Sequence, residues 1–323
     1  MEVLLMILGG LGLFLYAVSS LSNTLRDILG SRTKDILKKF TGNLFTSILT
    51  GLVATTILDS SSAVIILAIV MINAKVLTFR QALGIVMGAN IGTTFSSQII
   101  ALDIGKFSPI PIFLGLILTI FSKSDKISQT AKVLLYFGIL FFGLYTMERA
   151  VEPLRNDVRF NGWMAALESP WKGAITGAFV TLIIQSSSAT VGMVITLAKK
   201  GLISLAASLA VMLGAELGTC ADTLLATIKS NRQALKTGLF HLIFNFTSIL
   251  IGLLLFPFFV SFVTKLSANA PLERMVANGH MLFNIIGVVV FMPLIPYVEK
   301  LLNTWLPDKV VVSEDKLSAQ VSV

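Results

Sequence analysis

Three serines in a row, each time beside a side chain that can bind or carry charge, occur twice in this chain. Asp59-Ser60-Ser61-Ser62-Ala63 is answered 126 residues later by Gln185-Ser186-Ser187-Ser188-Ala189. The match extends backwards without a gap, with Thr50-Gly51, Thr55 and Ile57 standing where the second copy has Thr176-Gly177, Thr181 and Ile183. At the same offset, Gly88-Ala89-Asn90-Ile91-Gly92-Thr93 is answered by Gly214-Ala215-Glu216-Leu217-Gly218-Thr219. A serine triplet that opens a helix offers hydroxyl donors, free backbone N–H groups and about half a positive charge from the helix dipole. Together these make an anion site that needs no arginine. The same hydroxyls, with carbonyls freed at the end of the preceding helix, also suit a hard cation such as Na⁺. A single buried serine commonly spends its hydroxyl on a helix carbonyl instead. Three in a row, twice, at matching places argue against that use here.

The elements that must hold these residues are apolar. Of the 323 residues, 55% are hydrophobic and 13% charged, and the mean hydropathy is +0.86. An ordinary soluble domain carries about 25% charged residues, so the chain reads as an all-α polytopic membrane protein. The net charge of +8 is read as loop lysines and arginines rather than as a nucleic-acid surface. The single cysteine, Cys220, excludes an internal disulfide. The first apolar stretch follows Met1-Glu2 with no basic segment before it, and is expected to be retained rather than cleaved.

Val3 to Leu21 is long enough to span a bilayer. Arg26 to Lys39 reads as an amphipathic interfacial helix. Leu44 to Ile72 is too long for one span of about 20 residues and too short for two. A re-entrant hairpin with Asp59 to Ser62 at its tip fits this length. Gly173 to Ala198 repeats it, with Gln185 to Ser188 at the tip. Phe79 to Leu102 and Leu202 to Ile228 follow as longer segments. Gly84, Gly88 and Gly92 in the first of them predict either a small-residue packing face or a discontinuous helix that opens backbone groups to a cavity; Asn90 and Thr93 favour the second reading. Spans at Ile110 to Ser122 with its flanks, Val133 to Met147, Leu239 to Val263 and Met281 to Val298 complete the set.

These segments divide the chain into an N-terminal helix with its interfacial helix (1–41), a first unit (42–150), a charged connector (151–168), a second unit (169–302) and a polar tail (303–323). A hairpin adds no net crossing, so each unit crosses an odd number of times and the two are expected to be inverted. Polar clusters duplicated at membrane depth in inverted units are the pattern of a secondary transporter built from repeats. Following the crossings with the Arg26–Lys39 stretch inside places sixteen of the 25 lysines and arginines on the cytoplasmic side, with the C-terminus. The proposed spans carry almost no basic side chain at depth, so dipoles, hydroxyls and bound cations are left to hold an anion.

The doubled Gln/Asp-Ser-Ser-Ser-Ala, with Gly88-Ala89-Asn90-Ile91-Gly92-Thr93-Thr94 and the opening Gly10-Leu11-Gly12-Leu13-Phe14-Leu15-Tyr16, resembles the bacterial branch of the sodium–phosphate cotransporter family, related to the type II cotransporters of animals. The resemblance covers the chain to about residue 300. It implies a symporter importing inorganic phosphate with co-transported sodium, by alternating access, in a bacterial cytoplasmic membrane and with no organic cofactor. It assigns substrate binding to Ser60, Ser61, Ser62, Gln185, Ser186, Ser187 and Ser188, with Asn90 and Thr93 beside them. Sodium ligands are then expected among Asp59, Ser61, Thr94, Gln185, Ser187, Glu216 and Thr219. Two residues depart from the family pattern: Asp59 stands where Gln is usual, and Glu216 where the first copy has Asn90. A carboxylate beside an anion repels it unless a cation or a proton intervenes. Many bacterial relatives carry a C-terminal regulatory domain, for which this chain ends too soon.

Three further readings complete the expectations. His241-x-x-Phe244-Asn245 recurs as His280-x-x-Phe283-Asn284, with the histidines expected near membrane boundaries. Asn245 and Asn284 are candidate cavity-lining residues, although interhelical hydrogen bonding is the commoner use of such amides. Another oxyanion, or proton coupling at Asp59 or Glu216, is the alternative within the transporter class. An intramembrane serine hydrolase is remote, because neither histidine neighbours a triplet and no Gly-x-Ser-x-Gly occurs. Repeats of this kind often sit in homodimers in the lipid bilayer, although no dimer surface is legible in the sequence.

Overall fold

A computed structural model describes residues 2–30, 32–228 and 230–307, with the backbone alone at Arg32. Among the described residues the chain is helical throughout. The helices are α1 (Glu2–Leu29), α2 (Arg32–Phe40), α3 (Leu44–Leu58), α4 (Ser61–Asn73), α5 (Phe79–Ile100), α6 (Pro109–Phe121), α7 (Asp125–Val151), α8 (Val158–Ala166), α9 (Pro170–Ile184), α10 (Ser187–Lys199), α11 (Leu205–Gly218), α12 (Cys220–Leu225), α13 (Arg232–Leu254), α14 (Phe256–Leu266), α15 (Leu272–Phe291) and α16 (Ile295–Trp305). Five helical stretches are long and apolar enough to cross a membrane, or six if the α5–α6 pair, bent by 74°, counts as one. The protein is an integral membrane protein. The part of the expected polar tail beyond Pro307 lies outside the described residues, as does Lys229.

The offset of the serine motifs governs the whole helix pattern. Moved by 126 residues, α2, α3 and α4 coincide with α8, α9 and α10, and α5 coincides with α11 and α12 taken together. α1 falls on α7, and these two helices pack along each other. Gly10 meets the Gly143 backbone, Gly143 meets Gly10 and Phe14, and the Tyr16 and Tyr136 rings lie 6.1 Å apart. Residue numbers rise along one helix as they fall along the other, so the pair is antiparallel.

Glycine spacing explains the tight pairing within each copy. On α5, Gly84, Gly88 and Gly92 form one face against α3, where a Cβ on Gly88 would run into the Ile48 carbonyl. Gly51 answers from α3, against the Ile85 carbonyl. The second copy repeats this, with Gly177 on the Val211 carbonyl and Gly214 on the Ala174 carbonyl. The expected break in α5 is absent: the helix runs unbroken from Phe79 to Ile100. Its glycines serve close approach, and Asn90 and Thr93 return their side chains to the Val86 and Ala89 carbonyls of the same helix. In the second copy the helix is interrupted only at Thr219, between α11 and α12.

Several expected segments differ from the helices observed. α1 continues two turns past Leu21 and stops at Gly30, whose φ of +51° is the left-handed conformation that ends helices cheaply. Arg26 therefore belongs to the last turn of α1, not to the interfacial helix. That helix, α2, buries Thr33 and Leu37 and exposes Lys34, Lys38 and Lys39. α6 has only 13 residues, about 20 Å at 1.5 Å per residue, which is short of a full span. Pro257 starts a new helix, α14, within the expected Leu239 to Val263 span, and Pro293 and Pro296 divide α15 from α16.

The glycine seam makes a direct prediction. Gly88→Ala drives a methyl into the α3 backbone and is expected to destabilise the protein by roughly 1–3 kcal/mol. A melting temperature in detergent equal to wild type would refute this account of the seam.

Candidate substrate and ion site

α3 gives way to α4, and α9 to α10, across two residues, and the two junctions have the same backbone geometry. Asp59 (φ 51°, ψ 34°) ends α3 in the left-handed region, and Gln185 (φ 59°, ψ 29°) ends α9 in the same way. The next residue is extended in both cases: Ser60 at φ −156°, ψ 103° and Ser186 at φ −151°, ψ 109°. A left-handed residue without glycine is uncommon and costs energy, and the chain adopts one twice. The first serine of each triplet then caps the new helix. Ser60 Oγ accepts from Ala63 N at 3.2 Å, and Ser186 Oγ accepts from Ala189 N at 3.2 Å.

The cap leaves the first two backbone N–H groups of each helix without an intrahelical acceptor. In α4 these belong to Ser61 and Ser62, and in α10 to Ser187 and Ser188. All six serines, with Asp59 and Gln185, line one cavity of about 420 Å³. Two helix N-termini therefore face one space with their donors free. Thr219 at the α11–α12 break also lines it, so Asp59, Ser61, Gln185, Ser187 and Thr219, five of the seven expected sodium ligands, share the cavity with the expected anion ligands. Their donor atoms are carboxylate, amide and hydroxyl oxygens, the hard set that alkali cations take.

The other expected residues lie elsewhere. Asn90, Thr93 and Thr94 are buried on α5, each bonded to a carbonyl of its own helix. Glu216 is buried against His280, with Oε1 at 2.7 Å from Nε2, while His280 Nδ1 lies 2.7 Å from Ser97 Oγ. His241 is buried too, 2.8 Å from Thr223 Oγ1 through Nδ1. Both histidines thus sit inside the bundle. Asn245 donates to the Glu216 carbonyl on α11 at 2.9 Å, and Asn284 donates to the His280 carbonyl of its own helix at 3.1 Å.

Several contributors were not legible in the sequence. Asp59 accepts a short hydrogen bond from Ser96 on α5. Ser62 donates to Asp222 on α12 at 3.4 Å. Ser96 and Asp222 occupy equivalent places at the 126-residue offset, so each copy puts one carboxylate in its tip-and-helix pair, at opposite members. α1 supplies a further wall through Ser19, Ser22, Asn23 and Arg26. Their helical spacing was the available signal.

Where α7 ends, charge closes the packing. Lys199 at the end of α10 reaches Asp103 at 2.7 Å and Glu148 at 2.7 Å, and Lys200 reaches Glu148 at 3.0 Å. The network ties α10 to α7 and to the α5–α6 turn.

The sequence model of the Na⁺/Pi-cotransporter family matches residues 13–149 and again residues 155–289. The chain belongs to this family. It is a family of transporters, so the serine triplets are not hydrolase nucleophiles. Among its relatives, "Uncharacterized protein YqeW" of Bacillus subtilis is 27% identical over 92% of this chain and 96% of that protein. "Putative inorganic phosphate export protein YjbB" of Escherichia coli K12 is 25% identical over 96% of this chain, which spans only 57% of that protein. "Sodium-dependent phosphate transport protein 2A" of Mus musculus is 24% identical over 40% of this chain and 22% of that protein. No solved structure matches.

The Lys199 network yields a pH prediction. The Lys199 ammonium, by hydrogen bond and by charge, holds the Asp103 carboxyl below its ordinary value. A depressed carboxyl contributes stability above its unfolded value, near 4, and loses it as pH falls through the folded value. Asp103→Asn is therefore expected to lower the melting temperature slightly at pH 7, and the difference from wild type should vanish in acid. A difference that persists unchanged at low pH would exclude the charge as its cause.

Proposed function

We propose that this protein is a sodium-coupled symporter that imports inorganic phosphate by alternating access, in a bacterial cytoplasmic membrane and with its C-terminus inside. The observation that carries the reading is the convergence of two identically built tips on one cavity. Four unpaired N–H groups, the outer serine hydroxyls and two dipole ends suit a tetrahedral oxyanion. The lining carries one carboxylate, Asp59, and one guanidinium, Arg26, whose formal charges cancel. A divalent phosphate therefore needs cations that travel with it. Against a potential negative inside, each entering negative charge costs about 2.3 kcal/mol per 100 mV. Two sodium ions neutralise the substrate, and a third lets the potential drive entry.

Alternating access follows from inverted repeats. α1 and α7 hold equivalent places and run antiparallel, which supports inversion of the two copies. α3 and α9 have 15 residues each and α4 and α10 have 13 each. At about 20 Å, none reaches across a core of about 30 Å, which supports re-entrant hairpins. The helix correspondence also favours drawing the copies as α1–α5 and α7–α12, rather than from residues 42 and 169. In the cycle, sodium at Asp59, Ser61, Gln185, Ser187 and Thr219 screens the Asp59 carboxylate and so creates phosphate affinity at the serines. Outward movement of phosphate is the second reading, favoured by the printed name of the Escherichia coli relative.

Uptake of radiolabelled phosphate into proteoliposomes decides both points. An inward sodium gradient is expected to drive uptake that a choline control does not, and Ser187→Ala should abolish most of it. Loading from inside with the gradient reversed tests export. Equal movement in choline would end the sodium reading. Asp59→Asn is expected to raise the half-saturating sodium concentration about tenfold, the size of one lost charge-assisted contact. An unchanged sodium dependence would remove Asp59 from the ligand set.

A further inference from the structure

The cavity has a wall besides the two tips, made by one face of α1. Ser19, Ser22, Asn23 and Arg26 follow helical spacing and all line the cavity. The stripe of Gly10, Phe14 and Ala17 on the same helix is buried, with Gly10 and Phe14 set against α7. Arg26 is the only basic side chain in the cavity lining, and among the described residues it makes no hydrogen bond or ion pair.

The second copy lacks this feature. Moved by 126 residues, Ser22, Asn23 and Arg26 become Glu148, Arg149 and Glu152. There Glu148 is engaged by Lys199 and Lys200, and Arg149 lies 3.5 Å from Glu152. An arginine in the lining of the serine cavity, solvent-exposed at the end of α1, thus exists at one end of the pseudo-symmetric pair only. A tetrahedral oxyanion held by two helix N-termini still presents oxygens away from them. Arginine's planar fork matches two such oxygens, which a lysine ammonium cannot do.

We infer that Arg26 is a substrate-binding residue, closing the oxyanion site opposite the two serine tips. The inference rests on the phosphate reading above and adds the residue that completes the anion's shell. It also gives the cavity a cation that draws anions in from bulk solution, an effect that salt screens.

The test is equilibrium binding of radiolabelled inorganic phosphate to the purified full chain in saturating sodium, which does not depend on transport direction. Arg26→Gln is expected to weaken phosphate binding about tenfold or more. Arg26→Lys should recover part of the loss, and the half-saturating sodium concentration should stay unchanged in both. The salt dependence of phosphate affinity should flatten in Arg26→Gln. In the unaltered protein, phosphate should protect Arg26 from an arginine-directed dicarbonyl reagent, read peptide by peptide, so the assignment does not depend on a variant that folds. Phosphate affinity within twofold of wild type in Arg26→Gln, or labelling of Arg26 that phosphate does not slow, overturns it. Wild-type protein that binds no phosphate sinks the functional reading and this inference together. Binding that Ser187→Ala abolishes and Arg26→Gln spares sinks only the inference.

Discussion

Helix ends inside an apolar environment are the constraint on which the rest of this structure depends. A backbone N–H or C=O with no partner costs several kcal/mol in a bilayer. The chain creates two such ends at each tip and satisfies them only in part. Left-handed turns at Asp59 and Gln185 bring the new helices round, and Ser60 and Ser186 cap one N–H each. What stays open is a set of donors pointing into a shared cavity. A segment that leaves polar groups unsatisfied in this setting needs an outside partner, and on the proposed function an oxyanion with accompanying cations is that partner.

Holding two such tips together demands rigid support, and glycine supplies it. Gly51 with Gly88, and Gly177 with Gly214, let α3 meet α5 and α9 meet α11 at backbone distance. Each tip thus joins two helices of which the first is locked to its neighbour. α5 and the short α12 carry the groups that touch the tips from the side, Ser96 on Asp59 and Asp222 on Ser62. Buried polar pairs such as Glu216 with His280 hold α11 to α15 farther along. Copies packed this closely suit the rocking motion of the proposed function, since packed elements move as bodies rather than deform.

The two copies match in backbone and differ in charge. Asp59 faces Gln185 across the offset, Ser96 faces Asp222, Asn90 faces Glu216, and Arg26 faces Glu152. The backbone geometry at the two tips is shared, while the side chains around them are not, with a cation in the cavity lining of one copy and an ion-pair network at the equivalent place in the other.

The sequence by itself determined the class, the repeat and the tips. Hydropathy required a membrane, the 126-residue match required two copies, and three consecutive serines in each pointed to a polar site. Those signals are local or periodic, so they survive without a fold. It could not determine which polar residues meet. Asn90 and Thr93 looked like cavity residues, yet α5 stays whole and they bond to their own helix, because its glycines serve packing rather than a break. Arg26 looked like part of a surface helix, yet α1 runs on to Gly30 and carries it to the cavity. The partnership of Ser62 with Asp222 joins residues 160 apart. Contacts of that kind depend on how helices are set against each other, which is decided by the sum of their packing and by no single stretch of chain.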